Sequence, residues 1–180
     1  MSDPDDLEEH DAGDDIEPRC PHYTFAHVAL RSVAFRHPAG CLGVLASPDA
    51  HAFLADLLRS VDEHCREMGR PGQLAVDDLN VHRGRCGDYP CAVVEMPRPR
   101  GITEAFFVAL VLLVDMSADE PDFDHAALRY FTLEKGAMLG GPPRTVLCEW
   151  TADGSHVNYG DGPPAELGAF VDKVAEMVSR

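Results

Sequence analysis

His82, Arg83, Arg85, Cys86, Cys91 and Glu95 stand close together in the chain and carry most of the chemistry its residue types offer. A carboxylate beside an imidazole favours imidazolium and can orient a general base, the role open to Glu95 with His82. The plain alternative is a surface ion pair contributing about 0–1 kcal/mol. Arg83 and Arg85, with Arg98 and Arg100 downstream, form the one basic concentration in an acidic chain. Their forked guanidinium groups suit a carboxylate or phosphate, and would equally offset the chain's own acids. His82, Arg83, Arg85 and Glu95 are therefore the candidate binding residues.

The two thiols add a second possibility. With His82 they offer soft ligands for zinc, and Cys20 and His22 are the nearest further donors. His82 lies four positions from Cys86, roughly 13 Å along a strand, too far to share an ion unless the strand bulges. No metal or cofactor is expected on this count. A Cys86–Cys91 cross-strand disulfide, labile in a reducing compartment, would make a redox switch; two free thiols are the simpler expectation. The acids Asp115, Asp119, Glu120, Asp122 and Asp124 match no calcium-loop spacing and read as a solvated loop. No phosphate-binding glycine loop, HExxH, GxSxG or CxxC is present, which weighs against an enzyme of familiar type.

The elements that must position these groups follow from periodicity. Leu79 and Val81 alternate with Asn80 and His82, Gly87–Pro90 turns the chain, and Cys91–Met96 returns as a partner strand. A four-residue loop sets Cys86 opposite Cys91, which pairs Arg85 with Ala92, Arg83 with Val94, His82 with Glu95 and Val81 with Met96. The apolar run in 103–115 suits a strand buried on both faces. Leu128–Glu134 is aromatic and β-branched and reads as a strand, although a helical stripe through Phe123, Ala127, Tyr130 and Phe131 also fits. If 123–139 were helical, the element order from residue 48 would resemble that of the small acidic chaperones of bacterial secretion systems. Thr145–Thr151 and His156–Tyr159 flank the turn Ala152–Ser155. That turn pairs Trp150 with Val157, Glu149 with Asn158 and Cys148 with Tyr159, and makes Trp150 a core anchor.

Helical patterns flank this strand-rich centre. Thr24 can cap a helix through Phe25, Val28, Ala29, Ser32 and Val33 that Pro38 stops. Ser47 as cap and Pro48 at the first position open a second, with Phe53, Leu54, Leu57, Leu58, Val61, Cys65 and Met68 on one face and Gly69 at its end. After Pro163 and Pro164, residues Leu167, Phe170, Val171, Val174, Met177 and Val178 mark a closing amphipathic helix. The fold class is α+β: a single domain with a mainly antiparallel sheet of about five to six strands, packed with N-terminal helices and a C-terminal amphipathic helix.

The chain has 180 residues, with 31 Asp+Glu against 15 Lys+Arg, a formal net charge of −16. Residues 1–18 hold nine of those acids and no Lys or Arg, and after Met1 only Leu7 and Ile16 as large apolar side chains, so a disordered acidic tail is expected there and one domain over 19–180. Nucleic acid and anionic membranes are repelled at long range, which leaves basic or neutral protein partners. The longest uncharged apolar run, Ala105–Val114, is too short to cross a bilayer, and no secretory signal opens the chain, so a cytoplasmic protein is expected. These features suggest an interaction or accessory domain. The alternatives are an enzyme or small-anion binder built on His82, Glu95, Arg83 and Arg85, and a zinc- or redox-responsive regulator built on Cys86 and Cys91.

Overall fold

The computed structural model describes residues 21–47, 49–69, 79–97, 105–115, 119–137 and 143–160. The acidic tail, Cys20, the connector arginines 98 and 100 and the expected closing helix lie outside them. Three helices come first: α1 (Pro21–Arg36), α2 (Pro38–Ala46) and α3 (Ala50–Glu67). Six strands follow: β1 (Asn80–Cys86), β2 (Tyr89–Met96), β3 (Ala105–Leu113), β4 (Ala127–Ala137), β5 (Pro143–Trp150) and β6 (His156–Gly160). They form one antiparallel sheet in sequence order, the α+β class the periodicity predicts. No single described helix is long and apolar enough to cross a membrane.

Proline governs the helical start in a way the pattern alone misses. α1 ends at Arg36, just before Pro38 as expected, but Pro38 also opens α2, because its fixed φ and absent N–H suit a first helical turn. α2 is apolar nearly throughout, so no stripe reveals it, and it buries Cys41, Leu42 and Leu45. Ser47 does not cap α3: its hydroxyl donates to the Val44 carbonyl at 3.0 Å, closing α2, and Asp49 takes the α3 N-cap position without a side-chain bond. α3 buries Ala50, Leu54, Leu58, Val61 and Cys65, whereas Phe53 and Met68, expected on that stripe, are exposed. Gly69 ends this helical segment with φ 74°, a conformation open to glycine.

The sheet has two apolar faces. Ala92, Val94, Met96, Phe106, Val108, Leu110 and Tyr130 pack with Ala26, Leu30, Ala34, Leu54 and Leu58 of the helices. Cys91, Val93, Phe107, Ala109, Val111, Phe131, Leu133 and Leu147 form a second cluster, to which no described helix contributes. β3 lies between them with eight of its nine residues buried, as its unbroken apolar run requires. β4 is a strand, so the helical alternative for 123–139 fails, and with it the element order on which the chaperone resemblance rests.

Both hairpin registers differ from those expected. Gly87 at φ 59° permits a two-residue turn, Gly87-Asp88, so Cys86 faces Tyr89, Gly84 faces Cys91, Arg83 faces Ala92, His82 faces Val93 and Asn80 faces Glu95. The shift is two residues, which changes partners and preserves faces. At the other hairpin Thr151 joins the loop: its amide donates to the Ser155 carbonyl at 2.9 Å, and Gly154 adopts φ 97°. Trp150 then faces His156, Glu149 faces Val157 and Cys148 faces Asn158, with an irregularity between Leu147 and Cys148 that brings Leu147 opposite Gly160.

Candidate functional site

The sheet divides the residues singled out around the first hairpin. His82 and Glu95 lie on the face away from the helices, where His82 Nε2 stands 3.8 Å from Glu95 Oε2. That separation exceeds a hydrogen bond, and Nε2 is buried without a hydrogen-bond partner. Asn80 Nδ2 approaches the same carboxylate oxygen at 3.4 Å. Arg83 and Arg85 follow Val81 onto the helix side. Arg83 Nε donates to the Leu45 carbonyl at 2.5 Å and its Nη2 to the Ser47 carbonyl at 3.3 Å, placing a cation on the carbonyl end of α2. Arg85 Nη2 donates to the Asp88 carbonyl within the turn. The structure therefore brings His82 to Glu95 and places both arginines on the other side of the sheet.

The thiols offer little reactivity. Cys86 and Cys91 share the outer face on a diagonal and both are free. Burial pushes Cys91 up to about 12, helped by Cys86 beside it; burial also raises Cys86, opposed by the Arg129 guanidinium. Burial lifts Cys41 and Cys148 to about 11. All four stay protonated at neutral pH and are poor nucleophiles or ligands. Among the described residues no three His, Cys, Asp or Glu side chains gather as a metal site requires.

A second polar group on the outer face is fully engaged. Arg129 donates from Nε and Nη2 to the two oxygens of Glu149, at 2.7 and 2.8 Å, and the Tyr159 hydroxyl donates to Glu149 Oε2 at 2.8 Å. Hydrogen bonding from Arg129 holds the Glu149 carboxyl below the usual glutamate range. Arg129 also lies over the Phe131 ring, 5.0 Å from its centroid.

On the helix side, four elements meet around Trp150 in a cluster that no local motif announces. β5 presents the indole, whose Nε1 donates to Thr132 Oγ1 of β4 at 2.7 Å. β6 lays the His156 ring on it at 4.4 Å and 24°. From α1, one turn apart, come His27, 4.5 Å from the indole centroid, and Arg31, whose guanidinium carbon lies 5.3 Å from it. The Tyr130 hydroxyl donates to the His27 carbonyl at 3.1 Å, so its oxygen accepts from His27 Nδ1–H at 3.0 Å. That arrangement leaves the imidazole lone pair on Nε2, which is buried and has no hydrogen-bond partner. Burial, followed by the nearby Arg31 and His156, lowers the His27 pKa to about 4. His27 is thus a buried, neutral imidazole at neutral pH.

The chain matches no protein-family model, no curated protein and no solved structure. The Trp150 cluster owes its chemistry to groups far apart in sequence, His27 and Tyr130 being 103 positions apart. The one local signal was the spacing of His27 and Arg31, four residues apart on a helix and so on one face. Their meeting with Trp150 and His156 is a property of the packed sheet.

Proposed function

We propose that the chain is an interaction or accessory domain of the cytosol that recognises protein partners, and not an enzyme. The observation that supports this reading most directly is the division of the first hairpin's candidates between opposite faces of the sheet, with Arg83 and Arg85 bonded to backbone carbonyls. A general base and the groups that bind an oxyanion must converge within hydrogen-bond reach of one substrate, and this arrangement separates them. The protonated thiols weigh in the same direction against a zinc- or redox-responsive role, and free cysteines fit a reducing compartment. Recognition then falls to surface charge. Nine acids in residues 1–18 favour basic partners and disfavour nucleic acid and anionic membranes.

The test uses the full-length chain as bait, beside a full-length variant with those nine acids changed to Asn and Gln. Exposed charges act over only about 8 Å at 0.15 M salt. Basic proteins should be captured at low salt, released as salt rises and lost with the neutralised variant. Identical captured proteins from both baits would overturn the charge-guided reading. A turnover abolished by His82→Ala would restore the enzyme.

A further inference from the structure

Arg31 differs from the other arginines whose side chains are described. Arg36, Arg59, Arg66, Arg83, Arg85 and Arg129 each have a carboxylate or carbonyl acceptor, whereas Arg31 has no hydrogen bond or ion pair among the described residues. Its Nε is buried and lacks an acceptor, in a chain with twice as many acids as basic residues. A buried charged donor left without an acceptor is costly, so the arrangement calls for an oxyanion.

The surroundings are built around this cation. Trp150 supports the guanidinium from one side. At Gly154 a side chain would begin 3.2 Å from Arg31 Nη2, so the turn at φ 97° leaves room for the fork. Two further basic groups face the indole: the exposed His156, and His27, which is 4% exposed with its Nε2 lone pair unpartnered. Among the described residues, the groups that face His27 are Arg31 of its own helix, Tyr130 of β4, His156 of β6 and the uncharged Phe106 and Trp150, with no carboxylate acting on it.

We propose that Arg31, held on Trp150 between His27 and His156, anchors a binding site for the carboxylate of a small organic acid. The guanidinium fork takes the two oxygens, and the stacked Trp150 and His156 rings offer a flat surface to the body of the ligand. The class is set by charge. A chain at −16 repels polyanions strongly and a single carboxylate least. The site goes beyond the partner-binding reading and does not depend on it.

The sole tryptophan of the chain reports on the site. The full-length protein is titrated with acetate, lactate and benzoate, with acetamide as the neutral control and inorganic phosphate as the competing oxyanion. Both indole emission and melting temperature are followed at pH 7. Saturable change with at least one carboxylate, absent with acetamide, is expected. Arg31→Gln should weaken it by about tenfold or more, and Arg31→Lys, which keeps the charge without the fork, by less. Either variant serves if the other fails to fold. No saturable change with any carboxylate in either measurement would overturn the site, as would equal binding by Arg31→Gln or stronger binding of phosphate. Such a failure would leave the acidic segment's partners untouched, since their capture is scored on a different variant.

Discussion

Arg31 and Arg129 stand over aromatic rings at similar distances, 5.3 Å from the Trp150 centroid and 5.0 Å from that of Phe131. They belong to opposite faces of the sheet, and there the likeness ends. Around Arg129 the polar requirements are closed: Glu149 fills the fork and Tyr159 fills a remaining lone pair of Glu149. Around Arg31 they are open, with an unbonded Nε, an unbonded His27 Nε2 and, among the described residues, no paired carboxylate. Both are cation–π stacks, worth about 0.5–2 kcal/mol by that contact. The difference lies in the second partner. A stack completed by a protein carboxylate is a structural clamp, whereas a stack without one keeps its strongest donor directions for a ligand.

Three measurements sharpen the contrast. The largest effect belongs to the outer clamp's base: Phe131 is 1% exposed, so Phe131→Ala should cost about 3–5 kcal/mol, read from denaturant unfolding. A loss below about 1 kcal/mol would mean that this face repacks freely.

The second separates the two faces by pH. His27 has a pKa of about 4 in the folded chain against 6.5 ordinarily, so the unfolded chain binds more protons between those values. Stability carries no penalty from this group above about pH 6.5 and falls as pH drops toward 4, by about 3 kcal/mol in all. Glu149 behaves differently. Its lowered pKa contributes stability that is present above its ordinary 4.5 and is lost only as pH falls below that value through the folded pKa. The helix-side contribution should therefore fade first on acidification. Replacing His27 with Gln should flatten the stability profile between pH 6.5 and 4; an unchanged slope would show that the imidazole is solvated.

The smallest effect is expected at the clamp's own ion pair. Arg129 is 38% and Glu149 22% exposed, so solvent screens the attraction and Glu149→Gln should cost about 1 kcal/mol. The substitution leaves Arg129 stacked on Phe131 with one neutral amide oxygen in place of its carboxylate and so moves it toward the Arg31 situation. If carboxylate binding then appears on the outer face as well, an unpaired guanidinium on an aromatic ring suffices to make a site, and the two imidazoles near Trp150 act only as tuning groups.

What the sequence determined by itself is the set of elements with strong local period. Leu79 to His82 alternate into β1, β3 is apolar throughout and buried on both faces, and the leucines of α3 recur every third or fourth position, so these elements form largely independently of their neighbours. α2 was not legible, because a nine-residue segment apolar on every side has no stripe to detect. Registers were not legible either: a single turn glycine, or a single amide bond from Thr151 to Ser155, slides a strand by one or two residues at little local cost. The pairing of His82 with Glu95 was visible as proximity, but which side Arg83 and Arg85 would serve depended on the α2 carbonyls, which only packing brings to β1. The Trp150 cluster lay furthest from reach. His27, Tyr130, Trp150 and His156 come from four elements, and hydrogen bonds and ring contacts act over a few ångströms of space whatever the separation along the chain. Only tertiary structure could decide that one arginine of an acidic protein would be folded onto the indole without an acceptor among the described residues.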